Sequence, residues 1–292
     1  MIERVSSLIT PKWCEDLVRR CLDEDGVGHG DVTSSSIIEA NVTGCFELRS
    51  RQQGIVSGLK VLMQGSSVLG DLLLKPKCED GDQVDGLIAT LDGNLRSILA
   101  AERTILNILG YASGVATQTA KFVDVLRGTN CAVCDTRKTT PGLRVLDKYA
   151  VGCGGGVLHR IGLHDAALYK DNHISRVPLD ELETKLGIAI ALAKEERNLS
   201  FIEVEVDTLK QLEVVLRLDV DIVLLDNMTT DKLKEAVEMR NLSPTQPLLE
   251  ASGGITIETA RNIAETGVDR IAVGGLIHRS HWLDIGLDAN NE

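Results

Sequence analysis

Three kinds of residue recur in the second half of the chain at places where they could act on one ligand together. The first is basic. From Arg137 to Lys170 there are six cationic side chains (Arg137, Lys138, Arg144, Lys148, Arg160, Lys170) against two acids, Asp147 and Asp165, so this stretch is positive within a chain of formal net charge −12. His159 and the run Gly154-Gly155-Gly156 lie inside it. The cations alternate with apolar residues and glycine, as in a pocket wall, and a cationic pocket in an acidic protein selects a small polyanion. Arginine suits planar carboxylates through paired hydrogen bonds, and lysine suits phosphate as a point charge. The second kind is acidic. Glu205 and Asp226 are carboxylates that could accept from sugar hydroxyls or hold Mg²⁺. Glu203 has the same side-chain parity as Glu205, so both remain candidates, while Asp207 shares it but lies past the strand end. The third kind is glycine. Ser252-Gly253-Gly254 and Gly274-Gly275 offer bare backbone amides that a phosphate can approach closely.

Each of these groups falls where an apolar run ends. The runs expected as strands are Cys131–Asp135, Ala166–Lys170, Phe201–Val206, Asp221–Leu225, Pro247–Ala251 and Arg270–Val273. Amphipathic stretches separate the later ones, at Leu209–Arg217, Lys232–Met239 and Ile257–Glu265. Near-continuous apolar strands alternating with helices imply a parallel sheet covered by helices. The short repeat suits an α/β barrel, and a dinucleotide-binding glycine fingerprint is absent after the first strand. In such barrels the C-terminal strand ends converge on one mouth that carries the chemistry, with phosphate sites after the last strands.

Upstream, Thr10-Pro11 opens an amphipathic helix. Gly44–Arg49, Gly54–Gly58 and Leu87–Leu91 read as strands of a small mixed sheet, and a helical pattern runs from Arg96 to Leu109 and resumes after Gly110 and Gly114. A lone Cys131-x-x-Cys134 reads as two residues of a buried strand, since no second ligand pair stands at zinc-site spacing.

Composition sets the limits. Hydrophobic residues at 43% and charged residues at 25% describe a globular chain, and aromatics at 3% leave the core to Leu, Ile, Val and Ala. So few aromatics, with the acidic balance, exclude nucleic acid as the expected partner. No apolar run approaches the ~20 residues that span a bilayer, so no membrane partner is expected. The opening residues Met1–Ser6 lack a signal-peptide layout, and seven scattered cysteines suit a reducing compartment, so a cytoplasmic location is expected.

Arg137-Lys138-Thr139-Thr140-Pro141-Gly142-Leu143-Arg144 resembles the signature segment of the quinolinate phosphoribosyltransferases. So do Gly154-Gly155-Gly156 with His159-Arg160, Lys170-Asp171-Asn172-His173, Glu203-Val204-Glu205, Leu225-Asp226-Asn227, Glu250-Ala251-Ser252-Gly253-Gly254 and Val273-Gly274-Gly275-Leu276. Gly30-Asp31-Val32-Thr33-Ser34 and Glu102-Arg103-Thr104-Ile105-Leu106-Asn107 extend the resemblance over nearly the whole chain.

The resemblance implies an α/β chain of the type II phosphoribosyltransferase architecture. An N-terminal α/β sandwich domain would take residues 1–112, joined by 276–292, and an open α/β barrel of parallel strands would take 113–275. It implies a pentosyltransferase that converts quinolinate and phosphoribosyl pyrophosphate into nicotinate mononucleotide, pyrophosphate and CO₂, in NAD biosynthesis, with Mg²⁺ as cofactor. It implies a homodimer or hexamer with shared sites, Arg103 being delivered to the neighbour's substrate. Arg137, Lys138, Thr139, His159, Arg160 and Lys170 would bind quinolinate. Lys138, Lys170, Glu205 and Asp226 would be catalytic. Glu205 and Asp226 would face ribose and Mg²⁺. Ser252, Gly253, Gly254, Gly274, Gly275 and Leu276 would hold the 5′-phosphate. Leu158 departs from the pattern, since a small polar residue usually precedes the His-Arg pair. The alternatives are a nicotinate-type or molybdenum-transport-associated homologue, and a non-catalytic sensor of a phosphate ligand.

Overall fold

Thr10 turns the chain into its first helix, Pro11–Glu24, by accepting a hydrogen bond from Trp13 N at 3.2 Å, while Pro11 fills the first turn, where an amide would have no helical partner. The computed structural model describes residues 7–196 and 199–290, so the opening residues Met1–Ser6 lie outside it. The chain forms two compact units. One comprises the chain up to Ala120, Thr140–Gly155 and the chain from Arg279; the other comprises Lys121–Thr139 and Gly156–His278.

The first unit is built on a four-stranded sheet of β1 (Thr43–Ser50), β3 (Leu73–Pro76), β5 (Leu87–Asn94) and β12 (Ile285–Ala289), in the order β12-β1-β5-β3. A second pair joins β2 (Gly54–Ile55) to β4 (Gln83–Val84). Every pairing is antiparallel, which corrects the expected mixed sheet. β1, the central partner, pairs on one side with β5 and on the other with the returning C-terminal strand, where Leu48 faces Leu287. The helix Leu95–Val125 follows β5 without a loop, because the Asn94 side chain accepts from Arg96 N and Ser97 N and starts it. Ile98, Ala101, Ile105, Ile108, Ala112 and Val115 form its buried stripe.

This helix runs unbroken through Gly110 and Gly114. Their role is proximity. The amide of Leu283 donates to Gly110 O at 2.9 Å, and a Cβ on Gly114 would fall on the backbone of His281, with Trp282 Cα only 2.9 Å away. The C-terminal segment can cross there only because the side chains are missing.

The helix Arg144–Cys153 belongs to this unit too, although the sequence reading placed 113–275 in one domain. Tyr149 donates to Asp80 at 2.9 Å, and Asp147 accepts from Thr140 N at 2.7 Å and from the Tyr111 hydroxyl. Gly154 packs so closely on Ala116 O and Thr119 that no side chain would fit.

The second unit is a parallel sheet of β6 (Ala132–Cys134), β7 (Ala167–Tyr169), β8 (Ile202–Val206), β9 (Ile222–Asp226), β10 (Leu248–Ser252) and β11 (Arg270–Ala272), in the order β6-β11-β10-β9-β8-β7. The first strand thus lies beside the last. That is the cyclic order of a barrel with one seam left open, between β6 and β7, and Val157 bridges to Cys134 on the β6 side of it. Thr208 and Thr229 cap the helices that follow β8 and β9 by accepting amide hydrogen bonds. Leu182, Leu186 and Ile190, one turn apart, are the buried face of the helix Leu179–Glu196. Cys131 and Cys134 are buried, as expected of strand residues, and burial raises both thiols, Cys131 to about 12.

Two glycines separate close approach from mere helix geometry. Gly114→Ala should destabilise the chain by about 1–3 kcal/mol in denaturant unfolding, through overpacking. Gly187→Ala, in the helix Leu179–Glu196 with its nearest neighbour at 3.7 Å, should stabilise it by about 0.5–1 kcal/mol, through helix propensity.

Candidate active site

The C-terminal ends of the parallel strands open into a cavity of ≈ 550 Å³, lined wholly by the second unit. Around its rim the strand order sets the chemistry. The seam between β6 and β7 carries the basic side chains: Arg137 and Lys138 after β6, His159 and Arg160 after the Val157 bridge, and Lys170 after β7. β9 and β10 are the strands farthest from the seam in the ring order, and they end in Asp226 and in the turn Ser252-Gly253-Gly254. Glu205, on β8, stands between Lys170 of the seam and Asp226 of β9.

The cations are held from beneath and from the side. Asp135, fully buried at the end of β6, accepts from His159 N at 2.6 Å and so ties the His159-Arg160 segment to that strand. Arg160 Nη1 reaches Ala166 O at 3.4 Å. The buried Nε atoms of Arg137 and Arg160 have no hydrogen-bond partner among the described residues. Burial, and then the like charge of Arg137, lower the pKa of Arg160. A pair of arginines so placed is short of anionic partners, and a planar dicarboxylate supplies what they lack. Lys170 is steered differently: its amide donates to His173 Nδ1 at 2.8 Å, and its ammonium meets Glu205 Oε2 at 2.7 Å.

Depth along the strand separates the two glutamates that the sequence left open. Glu203 and Glu205 share a face of β8, but Glu205 lines the cavity while Glu203 is completely buried one layer deeper. There Glu203 Oε2 lies 2.7 Å from His159 Nε2, and Arg270 Nε lies 2.5 Å from Glu250 Oε2. The Phe201 ring packs edge-on against His159 and under the Arg270 guanidinium. Burial raises the carboxyls of Glu203 and Glu250 from the usual 4.5 to about 7. His159, Glu203 and Glu250 have the donor types of a metal site, with their atoms within 4.8 Å of one another, but Arg270 already supplies the positive charge there. The pair Glu205 and Asp226 fits Mg²⁺ better. Both offer hard oxygens to the cavity, and Asp226 is pushed up by burial and by the charge of Glu205.

Ten of the residues singled out in the sequence line this one cavity: Arg137, Lys138, His159, Arg160 and Lys170; Glu205 and Asp226; and Ser252, Gly253 and Gly254. Five do not. Thr139 leans back on Arg137 O, at 3.5 Å. Gly274 packs against the Lys138 side chain, with Gly275 and the buried Leu276 following it in a single helical turn. Arg103 belongs to the first unit, exposed on the helix Leu95–Val125, with Glu102 at 3.4 Å. Arg144 and Lys148, counted among the cations, also belong to the first unit and do not line the cavity, and Lys148 is fully buried. Leu158 is buried as well, as its apolar side chain allows. Thr136, Asn227 and Glu250 line the cavity without having been expected to. A charged residue inside the apolar run of β10 was the signal for Glu250.

The family model for the quinolinate phosphoribosyl transferase N-terminal domain matches residues 31–113, and that for the C-terminal domain matches residues 115–288. The chain is 41% identical to the nicotinate-nucleotide pyrophosphorylase [carboxylating] of Mycobacterium leprae, covering 94% of this chain and 96% of that one. It is 34% identical to the mitochondrial quinolinate phosphoribosyltransferase [decarboxylating] 2b of Nicotiana tabacum, over 95% and 82% of the two chains. The solved structure of nicotinate-nucleotide pyrophosphorylase from Francisella tularensis superposes with a TM-score of 0.86 at 35% identity, covering 96% of this chain and 97% of that one.

The buried carboxyls set a pH signature. Their pKa values are raised in the folded chain, so they hold protons that the unfolded chain has lost, and the stability they contribute is present below the usual 4.5 and is lost as pH rises to about 7. Glu203→Gln cannot ionise. Denaturant unfolding should therefore show the wild type losing stability relative to this variant between pH 5 and pH 8. Parallel profiles would contradict the burial argument.

Proposed function

The chain belongs to the quinolinate phosphoribosyltransferase family, and from that premise we propose that it transfers a 5-phosphoribosyl group from phosphoribosyl pyrophosphate to quinolinate, yielding nicotinate mononucleotide, pyrophosphate and CO₂ for NAD biosynthesis. One observation carries this reading: five cationic or potentially cationic side chains at the seam share a cavity with the carboxylates of Glu205 and Asp226, the deeper Glu250, and a glycine turn at the far strands. A monocarboxylate would leave part of that charge unanswered, and a phosphate sensor would have no use for the acids.

In this reading Arg137, Arg160, His159 and Lys170 seat the two carboxylates of quinolinate, with Thr139 bracing the loop beside them. Lys138 faces the pyrophosphate. The Ser252-Gly253-Gly254 amides take the 5′-phosphate, with the Gly274-Gly275-Leu276 turn completing that side and Gly274 set against Lys138. Glu205 and Asp226 orient the ribose hydroxyls and temper the positive charge that grows on the anomeric carbon. As the bond to pyrophosphate breaks, the pyridine nitrogen forms its bond to that carbon. The ring nitrogen is then cationic and stabilises the electron pair left on the adjacent ring carbon when its carboxylate departs as CO₂, and that pair then takes up a proton. Glu205 and Asp226 would also hold Mg²⁺, which supplies charge neutralisation for the departing pyrophosphate.

The same reading makes the active form a homodimer or hexamer, with Arg103 reaching a neighbouring copy's cavity. Its exposure on a helix that does not line its own chain's cavity supports this. Seven free cysteines support a reducing, cytoplasmic setting. Among the described residues no helix is long and apolar enough to cross a membrane.

Pyrophosphate release with phosphoribosyl pyrophosphate and Mg²⁺ should require quinolinate and should not proceed with nicotinate or without an acceptor. Arg137→Ala and Arg160→Ala should each lower kcat/KM for quinolinate by about 2–4 kcal/mol, the cost of losing a charge-assisted contact in a partly dry cavity. Equal release with nicotinate, or near-wild-type turnover by both variants, would overturn the assignment.

A further inference from the structure

Asn227 lines the cavity in an uncommon backbone conformation, and nothing in the reaction scheme uses it. It follows Asp226, the last residue of β9, where Asp226 pairs in register with Ser252 of β10. Beyond this point two strands would ordinarily part. Here the Asn227 amide donates to Ser252 O at 2.9 Å, and its φ is +52°. The side chain then folds back. Its Nδ2 donates to Asp226 Oδ2 at 2.6 Å, and its Oδ1 faces Gly253, where a Cβ would collide with the amide (Cγ at 2.7 Å). Gly253 itself has φ +105°.

We propose that Asn227 is a positioning residue for the sugar-phosphate side of the reaction, locking the Asp226 carboxylate and the Ser252-Gly253-Gly254 turn into one fixed unit. Elimination supports the residue type. Left-handed backbone is open to glycine, asparagine and aspartate at low cost. Glycine has no donor for Asp226. Aspartate would set a second carboxylate against Asp226, which already faces Glu205. Only asparagine meets both demands. With Oδ2 engaged, Asp226 presents Oδ1 to the ligand in a set direction, and the phosphate-facing turn keeps its spacing from the ribose-facing acid. A misplacement of either group would cost binding of the donor, not of the acceptor.

This inference rests on reading the cavity as the phosphoribosyl pyrophosphate site, and wild-type turnover of quinolinate checks that reading separately. Asn227→Gly keeps the backbone conformation and removes the donor; Asn227→Asp keeps the shape and replaces the donor with charge. Each should raise KM for phosphoribosyl pyrophosphate about tenfold, the loss expected for one charge-assisted hydrogen bond, and leave KM for quinolinate within about twofold. A purely structural role would move both constants together. If the wild type is active and the KM for phosphoribosyl pyrophosphate is unchanged in both variants, or if both constants rise in proportion, the proposal falls. Should neither variant fold, a crystal structure of the wild-type chain with phosphoribosyl pyrophosphate and Mg²⁺ decides: Asn227 still bonded to Asp226 supports the role, and Asn227 swung away from it overturns it.

Discussion

Positive charges crowded into a cavity repel one another, and everything at this site depends on how that repulsion is countered. The answer lies in the strands themselves. A β-strand returns to the same face every second residue, so β8 sends Glu203 and Glu205 inward at two depths, and β10 does the same with Glu250 and Ser252. The deeper pair meets His159 and Arg270, and the shallower acid meets Lys170. An unpaired charge at such depth would cost several kcal/mol, so the interior is polar in balanced couples. Arg137 and Arg160 are the exception. Their buried Nε atoms have no hydrogen-bond partner among the described residues, and that imbalance is what a dianionic ligand would relieve.

The open seam gives the imbalance a place. A closed ring would carry β6 and β7 side by side, with backbone pairing between them. Here the chain from Val157 to Arg160 comes up beside β6, anchored by the Asp135 carboxylate, and it brings His159 and Arg160 to the rim. The acids and the glycine turn stand on the strands farthest around the ring, so opposite chemical demands are separated by topology. An acidic chain thereby carries one cationic corner.

Much of this was legible in the sequence, because the signals were local. Apolar runs marked the six parallel strands to within a residue or two, and Thr10, Thr208 and Thr229 cap helices where hydroxyl residues precede periodic stretches. Strand-end polarity found most of the cavity. What stayed hidden depended on contacts distant in sequence. β3 and β4 are short, and β3 is largely exposed, with little periodicity to read. The helix Arg144–Cys153 sits among barrel residues in the chain but takes its partners from Tyr111 and Asp80, which no local pattern announces. Gly110 and Gly114 looked like interruptions because their purpose is a segment 170 residues away, as Gly114 against His281 shows within about that span. Glu203 and Glu205 are indistinguishable by parity, and only depth along the strand separates them.

Crystallography of the chain with quinolinate and a 5-phosphoribosyl ligand tests the central claim most directly. The charge argument predicts both ring carboxylates against Arg137 and Arg160, with His159 and Lys170 alongside, and the phosphate on the Ser252–Gly254 turn. Quinolinate bound elsewhere, or seated with the two guanidinium groups turned away from it, would contradict the account.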